Sequence, residues 1–257
     1  MDESPNIEIV PASDEDAAML ALISQRAYEN AAEKHDKKLW GPRGYKSAKD
    51  QLYYIERLET YNIMYDEIIV GGIVVAENGF GIKEIVRIYV DPDFQRNGIG
   101  SKSFAILIEK SEASAWTCGT IAWNEINQNF LNKNGFERIG LIKGDEQQIW
   151  YQKTLRDLEL PEISELNTKM NRVVVEGEIV EKSMARAVRS RRPWETLLVA
   201  EATLKDSSDD VVLMLWNEQI KQCVVGDRVR IEGGYVKNYR GIRQLNVGKV
   251  GKLITLD

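Results

Sequence analysis

Residues 156–171 divide the sequence into two regions with different hydrophobic patterns. The stretch reads RDLELPEISELNTKMN and is polar, acidic and interrupted by a proline. Before it, helix-like and strand-like periods alternate, whereas after it nearly every segment reads as strand and turn. This change of period predicts two domains, which suits a chain of 257 residues. We place the boundary near Glu165 and predict domains at 1–155 and 171–257 with a linker at 156–170.

The charge is distributed unevenly across this boundary. The whole chain has a net charge of −6, and its hydrophobic fraction of 43% and charged fraction of 29% exclude a disordered, fibrous or membrane protein. Residues 1–167 carry 18 basic and 28 acidic side chains, a charge of −10, and the remaining residues carry 16 and 12, a charge of +4. The overall acidity argues against nucleic-acid binding only for the first region, because the second region is basic.

Histidine and cysteine are too scarce for several kinds of site. His35 is the single histidine, and Cys118 and Cys223 lie 105 positions apart, so we expect no metal site, no disulfide framework and no serine–histidine triad. The N-terminal sequence MDESPNIEIV lacks the features of a secretory signal, and no apolar run is long enough to span a bilayer. We therefore expect a cytoplasmic protein without membrane contact.

The first region alternates between helical and extended segments. Ser13 and Asp16 form a capping-box pattern before a helix that carries Leu20, Ile23, Ala27 and Ala31 at helical spacing. The pattern predicts a strand at Ile7–Val10, a second helix at Ser47–Glu59, further strands at Asn62–Tyr65, Ile68–Ala76 and Glu84–Val90, and a hairpin turn at Asn78-Gly79.

A glycine-containing turn joins the strand that ends at Val90 to the next helix. The turn begins at residues 91–93 and continues as QRNGIG at residues 95–100. Glycines at such a turn let backbone N–H groups approach an anion, and the helix N-terminus adds its positive dipole end. Arg96 and Lys102 add mobile positive charge. The pattern predicts a pyrophosphate site, although glycine spacing alone fits an ordinary helix start equally well. It matches neither a P-loop nor a Rossmann fingerprint.

Two motifs resemble the GNAT family of N-acetyltransferases. The pattern V-x-P-x-x-Q-x-x-G-x-G after a strand resembles motif A of that family, and WNEINQNFLNKNGF at residues 123–136 looks like its N-x-x-A-x-x-F-Y-x-x-x-G-F helix and turn. The resemblance covers roughly residues 5–155. It implies a mixed sheet with flanking helices and acetyl-CoA as co-substrate.

The resemblance also assigns the residues that contact the coenzyme. The last strand residues before the turn pair with the pantetheine arm, the turn holds the pyrophosphate, and an asparagine downstream contacts the coenzyme. In this sequence these are Ile88, Tyr89, Val90, Gln95, Arg96, Asn97, Gly98, Ile99, Gly100, Ser101 and Asn124.

Acetyl transfer requires a neutral amine, and a carboxylate in the cleft can take its proton. Glu84 stands 11 positions before Gln95, where the family often keeps its general base; a solvated glutamate at a strand edge is the alternative. Many members use a tyrosine as the general acid, and Leu131 stands at that position here. Another group could replace the tyrosine, the thiolate could leave unaided, or the activity could be weak. Tyr89 and Tyr151 are substitute candidates for that acid.

Two further groups could take part in the chemistry. A backbone N–H near Ile88 or Val90 could hold the oxyanion of the tetrahedral intermediate. Cys118 could form an acetyl-cysteine, but a cysteine in the apolar run AWTCGTIAW is expected to be a core residue.

The second region shows five strand patterns with space for one short helix at residues 217–225, between the third strand and the fourth. This is the order of an OB fold. The predicted strands are Arg172–Val180, Leu197–Leu204, Val211–Trp216, Arg228–Val236 and Gln244–Ile254. The predicted fold class is therefore α+β, with an N-terminal GNAT-type mixed sheet and a C-terminal, all-β, five-stranded OB-fold barrel.

The sequence of this region resembles the OB domains of archaeal replication protein A and related single-strand binding proteins. The matching succession is LW-x-E-x-I, G-D-x-V-x-I and G-x-x-Q-L-x-V-G. The resemblance implies binding of single-stranded DNA or RNA and suggests a replication protein A-type partner. Cations along the backbone path and aromatic side chains for base stacking are needed. The candidates are Arg186, Arg189, Arg191, Arg192, Trp194, Arg228, Arg230, Lys237, Tyr239, Arg240 and Arg243, whereas Trp216 ends an apolar run and is expected in the core.

Three functions stay open on the sequence. The first is an acetyl-CoA-dependent N-acetyltransferase that its OB domain brings to single-stranded nucleic acid. The second is an accessory protein of single-strand binding that binds acetyl-CoA without efficient turnover, which Leu131 favours. In the third, the OB domain binds a protein in place of nucleic acid.

Overall fold

The computed structural model describes residues 6–37, 40–189 and 196–257, with the side chains of residues 249 and 250 left aside. None of the helices in these ranges is long and apolar enough to cross a membrane.

The first domain contains β1 (Ile7–Pro11), α1 (Ala17–Glu33), α2 (Ala48–Arg57), β2 (Glu59–Tyr65), β3 (Ile68–Gly79), β4 (Ile82–Val90), α3 (Ile99–Glu109), β5 (Ala115–Ile121), α4 (Glu125–Lys133), β6 (Glu137–Ile142) and β7 (Gln148–Thr154). The second contains β8 (Asn171–Lys182), β9 (Arg186–Arg189), β10 (Thr196–Lys205), β11 (Asp210–Trp216), α5 (Gln219–Gln222), β12 (Arg228–Tyr239) and β13 (Ile242–Leu256).

The first domain is a mixed sheet in the order β1-β2-β3-β4-β5-β7-β6. Only β4 and β5 pair in parallel; the other neighbours in this series are antiparallel. Helix α1 packs Leu20 and Ile23 against Tyr89 on one face of the sheet. Helix α3 packs Phe104 with Trp116 on the other face. The predicted mixed sheet with flanking helices is confirmed.

The predicted hairpin turn at Asn78-Gly79 is wrong by two residues. Strand β3 continues through Gly79, and the turn is made by Phe80 and Gly81, which have φ values of 52° and 72°. Asn78 therefore stays within the strand and is only 8% exposed. Its side chain is used in the contact with the second domain, and this contact explains why a turn-forming residue lies inside a strand.

The second domain is a closed barrel in which β8, β10, β11, β13 and β12 pair in that order and β12 returns to β8. Strands β11 and β13 are parallel, and α5 lies between the third and fourth barrel strands. The predicted OB order is confirmed, although α5 is shorter than the segment predicted for it. The additional strand β9 pairs with the start of β10 and extends the first loop as a hairpin.

Four apolar side chains of the segment between the two domains are packed against them. Ile163 and Leu166 are buried in the apolar core of the barrel. Leu158 and Leu160 pack against a small cluster that contains Val174 of the barrel and residues of the first domain. The segment that reads as a linker in sequence thus contributes to the contact between the domains.

The two domains also share a sheet. Thr255 and Leu256 of β13 pair antiparallel with Leu141 and Gly140 of β6, which joins the described strands into one 13-stranded sheet. A Cβ atom at Gly140 would lie 2.1 Å from the carbonyl oxygen of Thr255. Glycine is therefore required at position 140 for the strands to approach each other this closely.

Candidate functional sites

A cleft opens where β4 and β5 separate. The two strands pair only as far as Ile85 and Cys118, so residues 86–90 of β4 leave one edge without a neighbouring strand. The pairing of β4 with β3 skips Val86, which forms a β-bulge at this point. Bulges redirect side chains and occur frequently beside active sites. The separation of the strands therefore exposes backbone polar groups in the middle of the sheet.

The backbone groups on this open edge can be identified from the pairing on the other edge. The N–H of Asp91 donates to the carbonyl of Val70 in β3 at 2.8 Å. Because successive residues of a strand point their backbone groups to opposite edges, those of Ile88 and Val90 face the cleft. The carbonyl of Val90 accepts a hydrogen bond from Gln95 Nε2 at 2.8 Å. The remaining groups are placed to pair with an extended amide chain.

The turn after β4 presents six successive backbone N–H groups. None of the described residues accepts a hydrogen bond from the N–H groups of residues 96–101, and the first helical bond of α3 runs from Lys102 to Gly98 at 3.0 Å. Arg96 and Gly98 have φ values of 67° and 74°, the left-handed conformation that turns these groups outward. Unpaired N–H groups at a helix start attract an anion. The geometry suits an anion such as a diphosphate, and binding of a diphosphate by these residues stays a prediction.

Helix α4 borders the same cleft. Asn124 caps α4, since its amide oxygen accepts a hydrogen bond from the Asn127 N–H at 3.0 Å. At the other end of α4, Asn134 Nδ2 donates to Ser101 Oγ at 3.1 Å and ties the helix to α3. A Cβ at Gly100 would lie 3.3 Å from the Phe130 ring, so a glycine there lets the two helices pack closely.

Leu131 supplies no hydroxyl at the position that a tyrosine occupies in many GNAT members. Its side chain is fully buried in the core cluster that also contains Tyr151. The Tyr151 hydroxyl lies 3.4 Å from Gln128 Oε1 of α4, and burial raises its pKa, so it keeps its proton near neutral pH. Tyr89 packs on the opposite face of the sheet, with its hydroxyl 3.4 Å from Gln51 Oε1 of α2.

Glu84 lies at the root of the cleft and contacts the barrel. It is 4% exposed, and its two carboxylate oxygens lie 2.8 Å and 2.6 Å from Lys252 Nζ of β13. Asn78 Nδ2 donates to the same carboxylate at 3.2 Å. Lys252 also lies over the Trp150 ring, 5.4 Å from its centre. Both carboxylate oxygens of Glu84 are therefore engaged in the folded protein.

A second carboxylate, Glu232 of β12, is fully buried beside Glu84. It accepts hydrogen bonds from Asn78 Nδ2 at 3.1 Å and Thr117 Oγ1 at 3.4 Å. Burial raises the pKa of Glu232, and Arg230, 3.7 Å away, opposes this rise. We call these five side chains the interdomain polar cluster: Asn78, Glu84, Thr117, Glu232 and Lys252.

Arg87 follows the bulge and points to the face that α1 and α2 cover. It is 6% exposed, and its Nη2 donates to the Arg43 carbonyl at 2.8 Å and the Tyr54 hydroxyl at 2.9 Å. The rings of Tyr54 and Tyr28 lie 5.3 Å and 6.0 Å from the guanidinium carbon. Within the described residues, Arg87 Nε and Nη1 have no hydrogen-bond partner. Arg87 therefore anchors the segment between α1 and α2 to the sheet.

Aromatic side chains from the same segment reach the far side of the cleft. The rings of His35 and Trp40 lie 5.3 Å and 5.0 Å from Trp123, and Trp40 Nε1 donates to Glu146 Oε2 at 3.1 Å. His35 is thus packed on an aromatic ring and is not the fully solvated residue that its polar neighbours in sequence suggest. Among the described residues, no three His, Cys, Asp or Glu side chains form a group that could hold a metal ion.

Cys118 is an unfavourable nucleophile. Its side chain is buried in the core of the first domain. Burial raises the pKa of its thiol to about 12, and the nearby Glu84 carboxylate adds to this rise. The reactive thiolate form is therefore scarce at neutral pH, as expected for a core cysteine.

The barrel offers a second candidate site on the face away from the first domain. The β9–β10 hairpin lies at the end of β11 that carries Trp216, since Val199 pairs with Trp216. The tip of the β12–β13 hairpin lies at the opposite end, since Gln244 pairs with Val212 near the start of β11. The two hairpins therefore flank the outer face of β10 and β11, which we call the open face.

Part of the predicted cationic set lies on these hairpins. Arg189, Lys237 and Arg240 are exposed, and Arg186 pairs with Glu201 at 3.1 Å on the surface. Lys237 lies 5.0 Å from the centre of the Tyr235 ring, and Arg240 lies 5.3 Å from that of Tyr239, which is 56% exposed. The predicted residues Arg191, Arg192 and Trp194 lie outside the described residues.

Three predicted cations have other roles. Arg230 is 7% exposed and donates to Glu176 Oε1 at 2.6 Å and to Gln152 Oε1 of the first domain at 2.6 Å. Arg228 shares Glu176 with it and lies on the same side of the barrel. Arg243 binds Asp209 at 2.5 Å and the Leu166 carbonyl at 3.1 Å. These three arginines therefore differ from the exposed hairpin cations in having acceptors within the protein, although Arg228 is 70% exposed and Arg243 lies on the same hairpin as Lys237.

The expectation that Trp216 belongs to the core is wrong. Leu213 and Leu215 of β11 point into the barrel core, so Trp216 points to the outer side of the strand together with Met214, which is 6% exposed there. Trp216 is partly exposed and lies at the end of β11 next to the β9–β10 hairpin. The period-2 alternation of the strand was the signal that could have identified it, whereas the apolar run VLMLW concealed it.

Comparison with known proteins agrees with both halves of this geometry. Residues 21–136 match the family model described as "Acetyltransferase (GNAT) family", and residues 161–255 match that described as "Single-stranded DNA binding protein Ssb-like, OB fold". None of the curated proteins matches the chain.

Solved acetyltransferase structures resemble the first domain in fold. A GNAT family acetyltransferase from Streptococcus agalactiae aligns with 20% identity and a TM-score of 0.52 over 59% of this chain and 96% of its own. PaiA N-acetyltransferase from Thermoplasma acidophilum, solved in complex with coenzyme A, aligns with 18% identity and a TM-score of 0.48 over 58% of this chain and 99% of its own. The chain therefore joins a domain that matches the GNAT acetyltransferase family model to an OB-fold domain that matches the Ssb-like model.

Proposed function

We propose that the protein is an acetyl-CoA-dependent N-acetyltransferase whose OB-fold domain binds single-stranded nucleic acid. The observation that carries the first part is the pair of unsatisfied backbone surfaces in one cleft. The N–H groups of residues 96–101 suit a diphosphate, and the open edge of β4 suits the extended amide chain attached to it. Acetyl-CoA contains both groups and supplies the activated thioester.

The residues around this cleft have separable roles in the proposal. Gln95, Asn97 and the glycines at 98 and 100 shape the diphosphate site, and Arg96 adds charge to it. Asn124 borders the coenzyme through α4. The N–H of Ile88 or Val90 stabilises the oxyanion that develops on the acetyl group. Pre-oriented backbone donors of this kind need no reorganisation during the reaction.

Glu84 is the proposed base, and it acts from within the interdomain polar cluster. The amine loses its proton toward Glu84, through a relay or after a small movement of Lys252. Tyr151 is the preferred donor to the departing thiolate over Tyr89, because it belongs to the same side-chain cluster as Leu131. The thiolate is also a good enough leaving group to depart without help.

The proposed acceptor is a cationic amine of a protein or small molecule. The first region carries a charge of −10, which attracts such groups, and aromatic rings line the acceptor side around Trp123 and Tyr54. Mass spectrometry of acetylated proteins with and without this protein would identify protein acceptors. Proteins associated with single strands, including a replication protein A-type partner, are the first ones to inspect.

The second part of the proposal rests on the open face of the barrel. Exposed cations occur on both hairpins, aromatic rings accompany them on the β12–β13 hairpin, and Trp216 lies next to the β9–β10 hairpin. This combination suits base stacking along a charged backbone. The face is distinct from the one that contacts the first domain, so a strand can bind without separating the domains.

The transferase activity is tested by measuring thiol release from acetyl-CoA with a panel of amines. The matched variants are Asn97→Asp in the diphosphate turn and Asn129→Asp on the exposed surface of α4. Both add one negative charge without changing side-chain size. We expect the first to weaken coenzyme A binding by about tenfold or more through charge repulsion, and the second to have little effect. Equal effects, or no binding by the unmodified protein, would refute the proposed site.

A second candidate function is an accessory protein that binds acetyl-CoA without efficient turnover. The buried Leu131, which replaces a hydroxyl, favours it. Calorimetry with acetyl-CoA separates the two candidates when it is combined with the thiol-release measurement. Binding without amine-dependent thiol release across the panel supports the accessory function, and turnover supports the enzyme.

A further inference from the structure

We propose that Lys252 of the barrel is a positioning residue for acetyl transfer, because it keeps the Glu84 carboxylate ionised and oriented at the root of the cleft. This inference rests on the proposed function and deepens it. It means that the OB-fold domain completes the catalytic domain in addition to binding another molecule.

The position of Glu84 connects the barrel to the cleft. Glu84 pairs with Thr117 one residue before the last β4–β5 pair, so it marks the end of the continuous part of the sheet. The strands separate directly beyond it, and Val86 forms the bulge. Lys252 approaches the same carboxylate from the barrel with an ion-pair distance of 2.6 Å. The contact between the domains at Glu84 is therefore two residues away from the start of the open edge of β4.

The charge balance explains why an ammonium group is needed there. Glu84 is buried, and a buried carboxylate without a counterion takes up a proton. The second carboxylate, Glu232, lies close enough to share the amide of Asn78 with it. Two neighbouring carboxylates disfavour each other's ionised forms. Lys252 supplies a positive charge to this pair, with its ammonium 2.6 Å from the Glu84 carboxylate.

The other groups around Glu84 do not replace this charge. Asn78 of β3 and Thr117 of β5 are neutral, Cys118 is held as a thiol by burial, and Trp150 lies beneath the ammonium. Arg230 of β12 is directed to Glu176 at 2.6 Å and lies 3.7 Å from Glu232. Lys252 is therefore the charged group that binds Glu84 within the described residues.

The test compares Lys252→Met and Lys252→Arg in the full-length chain, with Lys143→Met as the control. Lys143 forms another ion pair between the domains, with Asp227 at 2.7 Å, but it does not touch Glu84. For each variant, kcat/KM is measured between about pH 5 and pH 10. We expect Lys252→Met to move the acid limb of the profile to higher pH, because Glu84 holds its proton more readily without the ammonium. Lys252→Arg and Lys143→Met should keep the original profile.

A spectroscopic measurement makes the test independent of turnover. Infrared spectra of Lys252→Met at neutral pH should show a protonated carboxyl band that disappears in the double variant with Glu84→Gln. The unmodified protein should show no carboxyl band that Glu84→Gln removes, whereas any band of the buried Glu232 persists in all of these proteins. Circular dichroism confirms that each variant is folded, and Lys252→Gln serves if the methionine variant is not.

The two kinds of failure are distinguishable. Failure of the unmodified protein to acetylate any amine overturns the proposed function, while the infrared comparison still decides whether Lys252 keeps Glu84 ionised. An unchanged acid limb together with no new carboxyl band in Lys252→Met overturns the inference. A uniform loss of kcat in Lys252→Met and Lys143→Met, with no shift in pH dependence, also overturns it, since that result indicates a structural role only.

Discussion

The two sides of the barrel use the same residue types differently. On the docked side, Arg230 is 7% exposed and bound to acceptors from both domains, whereas on the open side Arg240 stacks on an exposed tyrosine. A buried guanidinium must be matched by acceptors, but an exposed one can exchange water for a phosphate. The basic charge of the second region is therefore divided between a structural contact and a surface suited to ligand binding. The following changes test this division, beginning with the largest expected effect.

Arg230→Met should destabilise the protein by about 3–5 kcal/mol, because it removes the buried cation that lies against both Glu176 and the buried Glu232. Arg228→Met removes an arginine that binds the same Glu176, but that side chain is 70% exposed and its loss should cost less than about 1 kcal/mol. Urea unfolding of both variants measures the difference. Similar losses in the two variants would show that burial does not distinguish these arginines.

Trp216→Ala should weaken binding of an oligothymidylate by about 1–3 kcal/mol if bases stack on this ring. Tyr53→Ala is the control, because Tyr53 is also exposed but lies on α2 of the first domain. Fluorescence anisotropy at one fixed salt concentration gives both affinities, and thermal melting shows whether the barrel is intact. A loss below twofold in a folded Trp216 variant would remove this residue from the proposed platform.

Glu232→Gln should stabilise the protein toward neutral pH. Burial raises the pKa of Glu232 in the folded state, so the stability of the unmodified protein falls as pH rises above the ordinary glutamate value of about 4.3 and through the raised value. Glutamine does not titrate and escapes this loss. The gain should be about 1 kcal/mol or less, because Arg230 and Lys252 already compensate part of the charge.

Unfolding midpoints measured from pH 4 to pH 8 test this change. The difference between the two proteins should be smallest at the acid end of the range, where the carboxyl is mostly protonated in both states. Glu178→Gln, at an exposed position of β8, should follow the unmodified protein throughout. A Glu232→Gln variant that is less stable at pH 8 than at pH 4, relative to the unmodified protein, would contradict the prediction.

Lys237→Gln should reduce the salt dependence of nucleic-acid binding, because it removes one contact to a phosphate. Each phosphate contact contributes about 0.7 to the slope of log affinity against log salt for a single strand. We expect the slope to become shallower by about that amount, and we expect no change for Lys49→Gln on the exposed surface of α2. A flat salt dependence in the unmodified protein would favour a protein ligand for the barrel.

Much of the fold follows from local sequence patterns. The period-2 strands of the barrel and the glycine turn before α3 are determined by neighbouring residues, and both were predicted. The partnership of Glu84 and Lys252 joins positions 168 residues apart and depends on how the domains dock, so no local pattern indicates it. The close approach of β13 to Gly140 also depends on how the domains dock, and no local pattern indicates it. Trp216 differs from these, because its strand already contained the alternation that places it on the open face.

The pairing of β13 with β6 affects what happens when the barrel is absent. Strand β6 has β7 on one side, and on the other side its backbone groups are paired by the last strand of the barrel. Without the barrel, this side becomes an uncovered sheet edge, and such edges recruit strands from other molecules. The first domain produced alone would therefore tend to self-associate. In the full chain, β13 occupies the edge of β6 and prevents another strand from pairing there.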